Sequence, residues 1–292
     1  MNLIMNIREP VLPGPWYPRE PGKIDEFLLP FRKNTPEKLE NGVKKSCLAA
    51  IAPHAGWFFS GKIAALSISS LNADADTVVV IGGHLPSGAS FLFAEEDAIR
   101  TPYGPIPVDR ELRELLIKKL NGKSDKYQDN TVEVLMPMVH AFFPKAQTLW
   151  ARFPANLSSY NAGMLLAETC KALERKPAVI GSTDLTHYGV NYDFSPKGSG
   201  QAALDWVKNT NDAAFLNAVL EHDPDEVLLC ARRDHSSCSV GAVLGAMGFV
   251  NKTYETANIE KIKGHLLKYG TSADARNDEA PDSFVGYASI VW

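Results

Sequence analysis

Short apolar runs alternate with longer amphipathic stretches along the chain. Residues 47–52 (CLAAIA) and 77–82 (TVVVIG) are apolar at successive positions and bounded by turn formers, as strands buried on both faces of a parallel sheet are. Between them Ser60 is placed to cap a helix running to about Leu71, with Ile63, Leu66 and Ser67 along one face. These three segments form one βαβ unit. Asp109 precedes a second helix over residues 110–120, in which Leu112, Leu115, Leu116 and Lys119 recur at helical spacing. A third helix is expected over residues 131–143, kinked by Pro137 or carrying it in its first turn. Residues 147–151 read as a strand, and Ser158 or Ser159 opens a helix with Ala162, Leu165, Leu166, Thr169 and Leu173 facing inward. Residues 178–182 (AVIGS) form another buried strand. Helices are then predicted near residues 200–207, 212–221, 224–231 and 240–247, and strands at 253–258, 265–269 and 284–291. No repeat, low-complexity tract or linker divides the chain. The alternation therefore predicts one α/β domain over residues 1–292, with a central, mostly parallel sheet flanked by helices.

Composition narrows the function classes. The chain has 292 residues, 45% of them hydrophobic, enough for a large core, and 22% charged, which argues against wholesale disorder. The formal net charge of -4 and the lack of a long basic run leave no electrostatic footprint for nucleic acid. No apolar run is long enough for a membrane helix. The N-terminal stretch is soon interrupted by Pro10, Pro13, Pro15 and Pro18 and lacks the basic end and apolar centre of a signal peptide, so a cytoplasmic protein is expected. Cys47, Cys170, Cys230 and Cys238 are too scattered for a disulfide framework, and no CxxC pair exists for a zinc ribbon.

The candidate chemistry lies just beyond the predicted strand ends, where ligands bind in parallel sheets. His54 follows the first strand in Ala-Pro-His-Ala-Gly (52–56), and His84 follows the second in Gly-Gly-His-Leu-Pro (82–86). Asp184 and His187 follow a later strand in Ser-Thr-Asp-Leu-Thr-His-Tyr-Gly (182–189). His235 and Cys238 precede a helix in Asp-His-Ser-Ser-Cys-Ser-Val-Gly (234–241). Imidazoles and a thiolate suit zinc, copper or iron, and a carboxylate can act as a ligand, an orienting partner or a base. Each residue also has a plainer reading. A lone His after a strand is often a hydrogen-bonded loop residue, a lone Cys a small buried hydrophobe, and Asp a capping residue. His140, His222 and His265 lie in helix or strand contexts without partners and read as structural.

In this order along nearly the whole chain, these segments resemble those of Memo proteins, also called AmmeMemoRadiSam system protein B. Gly14-Pro15-Trp16-Tyr17-Pro18 is similar to the family's N-terminal Gly-Ser-Trp-Tyr segment, and residues 51–61 (IAPHAGWFFSG) to its Ala-Pro-His-Ala-Gly-Tyr motif. Arg100-Thr101-Pro102, residues 182–189, residues 235–241 and Ser283-Phe284-Val285-Gly286-Tyr287-Ala288 resemble further family segments. The resemblance implies a fold like that of the class III extradiol dioxygenases, which hold non-haem iron on two His and one Glu, with Cys in place of the carboxylate. The implied ligands are His54, His84 and Cys238, with Asp184 and His187 lining the same pocket as catalytic groups. Iron or copper is the implied metal, and zinc also suits the donors. The family's second name implies association with a radical SAM protein system, and the pocket implies a small-molecule or peptide substrate.

Departures from the family pattern alter what is inherited. The family's double His after the second strand is a single His84 here, and Leu12 stands where an N-terminal His would be. Its Glu-His-Ser-Ile-Glu-x-His segment becomes Asp129-Asn130-Thr131-Val132-Glu133-Val134-Leu135, which loses both histidines and keeps Glu133. Glu133 is expected to face the crevice, or else to form a surface ion pair, with Leu135 filling space a His would have taken. Three functions compete: a metal-dependent oxidoreductase, a non-enzymatic peptide- or protein-binding module with a degenerate pocket, and zinc-assisted hydrolysis, for which no HExxH-type base is present.

Overall fold

The computed structural model describes residues 5–33, 46–127, 129–259, 261–278 and 281–292. The strands are β1 (Ile7–Arg8), β2 (Ala49–Ala52), β3 (Thr77–Leu85), β4 (Leu92–Ala94), β5 (Ala98–Thr101) and β6 (Gly104–Pro107) in the first part of the chain. They continue with β7 (Lys123–Asp125), β8 (Gln147–Pro154), β9 (Pro177–Ser182), β10 (His187–Gly189), β11 (His265–Thr271) and β12 (Ser283–Val291). The main sheet has the order β10-β12-β2-β9-β3-β8-β4-β7, with β11 also paired to β12. Its centre, β2-β9-β3-β8, is parallel, whereas β12 runs antiparallel to β2 and β4 antiparallel to β8. β1, β5 and β6 form a small separate sheet. The protein is thus a mixed α/β structure with helices flanking a sheet whose parallel centre is buried. One hydrophobic cluster draws on residues from Tyr17 to Trp292.

The longest helix, Val240–Thr256, packs against the helix Ser158–Ala172 and over β3, β8 and β9. Glycines permit this approach. A Cβ on Gly163 would lie 2.0 Å from the Gly245 carbonyl oxygen, and one on Gly248 only 1.9 Å from that of Tyr160. Backbone contact so close leaves no room for any side chain. The fit helps to fix the helix in place, and Cys238 lies two residues before its first residue.

Three expectations change. Residues 253–258 do not form a strand: Thr253 and Tyr254 belong to the last turns of Val240–Thr256, where Thr253 Oγ1 bonds the Phe249 carbonyl. Burial of the long helical face overrides the strand preference of the Thr-Tyr pair. The expected helix over residues 131–143 is two short ones, Asn130–Glu133 and Met136–Phe142, with Pro137 in the first turn of the second. The helix expected from Ser60 starts earlier, with a π-helical turn over Trp57–Gly61 leading into Lys62–Ser69. Asp109 does cap Arg110–Leu120, its carboxylate accepting from Leu112 N at 3.1 Å.

Candidate metal centre

His54 stands two residues past β2 and is 1% exposed. The parallel register sets Ala52 beside Ser182, the last residue of β9, and this neighbour reaches the imidazole: His54 Nδ1 lies 3.0 Å from Ser182 Oγ. The His54 backbone N–H donates to Asp184 Oδ1 at 2.8 Å. With Nδ1 and the backbone both engaged, Nε2 points at Cys238 Sγ, 3.3 Å away.

His84 arrives from β3, where the register to β8 breaks between Gly82 and Leu85. The backbone at His84 is left-handed, with φ 58°. Gly83 lets the strand end pass against the helix start, since a Cβ there would lie 2.3 Å from that of Ser239. Ser239 Oγ accepts from His84 N at 3.3 Å. The His84 side chain is 34% exposed, and its Nδ1 lies 3.1 Å from Asp129 Oδ2. Asp129 is itself held by Thr131 N at 2.9 Å and by Arg152 Nη1 at 3.5 Å. Behind it Arg152 makes a buried, two-pronged pair with Asp125, at 2.7 and 2.9 Å.

Cys238 completes the group from the turn before Val240–Thr256. Its sulfur accepts from Asp184 N at 3.3 Å, and its own N–H donates to the Asp184 carbonyl at 3.2 Å. The two imidazole rings stand perpendicular with centroids 5.0 Å apart. One donor atom from each of His54, His84 and Cys238 lies within 4.8 Å of the others, a spacing at which the three could hold one metal ion.

The charges are coupled. Burial opposes ionisation of the Cys238 thiol, but the two imidazoles outweigh it and hold the thiol well below its ordinary pKa. Burial also opposes a charge on His84, yet Asp129 and Cys238 push its pKa up to about 10. His54 is raised as well, Asp184 and Cys238 overcoming its burial. Asp184 is raised by burial, an effect that His54 partly offsets. Without a metal the proton load therefore sits on the imidazoles rather than on sulfur.

Asp184 and His187 join His54 and His84 in lining one crevice of about 410 Å³. His187, the first residue of β10, has Nδ1 3.2 Å from the Leu185 carbonyl. A carbonyl only accepts, so Nδ1 carries the hydrogen and a neutral ring leaves Nε2 as the basic atom. Two other candidates do not line the crevice. Glu133 is buried and faces neither the crevice nor solvent: its carboxylate accepts from Val11 N at 2.9 Å, Leu12 N at 3.0 Å and the Tyr17 hydroxyl at 2.9 Å. It pins the N-terminal segment, because buried backbone N–H groups need acceptors and this acid meets them. His235 is the left-handed cap of the helix Pro224–Asp234, exposed and 4.9 Å from the Phe194 ring. Leu135 is buried in the main core. Sequence reasoning did not mark Trp16, Asn130, Tyr192, Arg276 or Tyr287 as pocket residues, although all five line the crevice.

A sheet with a parallel centre that carries two imidazoles at its strand ends, joined by a thiol from the turn before a helix, defines an α/β protein that could hold a transition metal there. The family model described as "Memo-like protein" matches residues 8–291, and the chain belongs to the Memo family. A MEMO1 family protein from Pyrococcus abyssi is 31% identical over 98% of this chain and 99% of its own length. One from Pyrococcus horikoshii is 29% identical over 97% and 98%. Among solved structures, an uncharacterized protein from Escherichia coli K12 aligns at a TM-score of 0.47 and 12% identity, over 83% of this chain and 98% of that one, a likeness too slight to carry weight. Among the described residues no helix is long and apolar enough to cross a membrane.

Proposed function

We propose that the protein is a metal-dependent oxidoreductase that holds a non-haem iron or copper ion on His54, His84 and Cys238 and acts on a small molecule in the adjoining crevice. The observation that carries this reading is the convergence of three donor atoms within 4.8 Å, the two imidazoles being oriented from behind by Ser182 and Asp129. Histidine ligands whose second nitrogen is fixed by a polar partner are the usual construction of a protein metal site. The set of two neutral nitrogens and one thiolate suits iron or copper, and it suits zinc too, with Lewis acidity in place of redox chemistry. A bound iron or copper ion would supply electron transfer to substrate or oxygen.

The chain's own groups would do the rest. His187 lines the crevice and would act there as an acid or base through Nε2, its ring held by the Leu185 carbonyl and packed edge-on against Tyr192 at 4.9 Å. Asp184 holds the His54 backbone through one oxygen, and its second, 3.9 Å from His54 Nε2, is placed to hold or move a proton. Asn130 donates to the His54 carbonyl at 3.2 Å and steadies the loop where the resemblance placed a histidine.

Metal analysis of the purified protein, followed by oxygen uptake after loading with iron or copper, tests the reading. About one redox-active ion per chain is expected, given three ligands in one cluster. A well-folded protein that neither carries nor takes up metal would favour the binding-module function instead.

A further inference from the structure

Among the described residues lining the crevice the one strongly basic group is Arg276, and nothing in the metal reading uses it. Arg276 ends the helix Ser272–Arg276, whose geometry is set by a reciprocal cap: Thr271 Oγ1 accepts from Asp274 N, and Asp274 accepts from Thr271 N. The Asp274 carboxylate is further engaged by Lys208 at 2.9 Å. The neighbouring acid is thus spoken for, and among the described residues no carboxylate pairs with Arg276. Its guanidinium lies over the Phe59 ring, 4.9 Å from the centroid, which restrains its plane while leaving its N–H edge available. Its charge reaches the phenols of Tyr192 and Tyr287, both of which it pulls downward against the larger effect of their burial.

We infer that Arg276 is the specificity residue for the anionic head of a small organic acid with a flat, apolar body. An exposed arginine would ordinarily be solvated or ion-paired. This one is shelved on an aromatic ring in the wall of a crevice of about 410 Å³. The other walls include Trp16, Tyr192 and Tyr287, and an aromatic lining of this kind suits a flat, apolar molecule of modest size. A guanidinium edge matches a carboxylate or a phosphoryl group in two-pronged fashion. The inference rests on reading this crevice as the reaction site, but it does not depend on the ion.

The test is ligand-observed NMR titration of metal-free and zinc-loaded protein with benzoate, phenyl phosphate and the neutral analogue benzamide. In metal-free wild-type protein at least one of the two anions should bind about tenfold more tightly than benzamide. Arg276→Gln should bring that anion down to the benzamide level without altering benzamide, and Arg276→Lys should fall between. Comparing benzoate with phenyl phosphate identifies the head group. Anion binding that is equal in wild type and Arg276→Gln, or no tighter than benzamide in wild type, overturns the inference. Failure of the metal reading would show separately, as no zinc uptake with the Arg276 dependence intact.

Discussion

The two walls of the crevice are built on opposite plans. The inner wall, His54, His84 and Asp184, comes from the ends of three neighbouring parallel strands, and His54 and Asp184 meet Cys238 ahead of a helix locked to the sheet by backbone contacts. His54 and Asp184 are almost wholly buried, and their polar atoms are tied to one another at 2.8–3.9 Å. The outer wall, Trp16, Tyr192 and Arg276, comes from three segments remote in sequence. Tyr192 is 42% exposed, and the Trp16 segment is anchored from outside by Glu133. A set of possible donors around buried His54 thus sits beside a partly exposed aromatic rim.

The largest expected effect comes from removing a donor. Cys238→Ser should lose most of the metal, with a melting temperature close to wild type, since the sulfur is a minor part of the core. Cys238→Glu should recover part of the binding by restoring a carboxylate donor. Metal content and thermal unfolding of both variants check this. If Cys238→Ser keeps full metal stoichiometry, the thiolate is not a ligand. Next is Asp129→Asn, which leaves all three donors in place but takes the charged partner from His84. Metal affinity should drop by about 10–100-fold in chelator competition, the usual cost of losing an orienting partner. No change would mean that His84 is positioned by its backbone alone.

The same competition run against pH separates the donors. A metal must displace the proton from His84, whose pKa is about 10, so apparent affinity should fall as pH falls, by about tenfold per unit near neutrality for each proton displaced. Cys238 should add less to that slope, because the two imidazoles hold its thiol well below the ordinary range. Asp129→Asn, which lowers the His84 pKa, should flatten it. A slope unchanged in that variant would place the competing proton elsewhere.

The outer wall should respond in a different currency. Glu133→Gln replaces an acceptor of three hydrogen bonds with a group that offers one oxygen. Stability should fall by about 2 kcal/mol in denaturant unfolding, a moderate loss for bonds to a buried carboxylate. Metal affinity should not move. A parallel loss of metal would show that the two walls are one cooperative unit.

The inner wall was open to sequence reading because its residues lie within a few positions of short, bounded apolar runs. The outer wall was not. Nothing near Arg276 or Tyr192 announces a pocket, since their meeting with Trp16 depends on how β10 and β12 close the sheet edge. Glu133 misled for a related reason. An acid in a segment facing the site suggests crevice chemistry, and only the folded N-terminal segment reveals the backbone N–H groups it satisfies. Residues 253–258 show the limit of local preference, for a β-branched and aromatic pair turns helical when it ends a long buried helix. Asp129 was visible as part of an altered motif, but its task of orienting His84 follows only from their approach to 3.1 Å.

The central claim is that one ion is shared by His54, His84 and Cys238, and X-ray absorption at the metal edge of the as-purified protein tests it most directly. The expected spectrum has one sulfur scatterer at about 2.3 Å and two imidazole nitrogens at about 2.0–2.1 Å. Those signals should be lost or replaced in Cys238→Ser. A metal shell of oxygen and nitrogen alone in the wild-type protein, with no sulfur, would contradict the account.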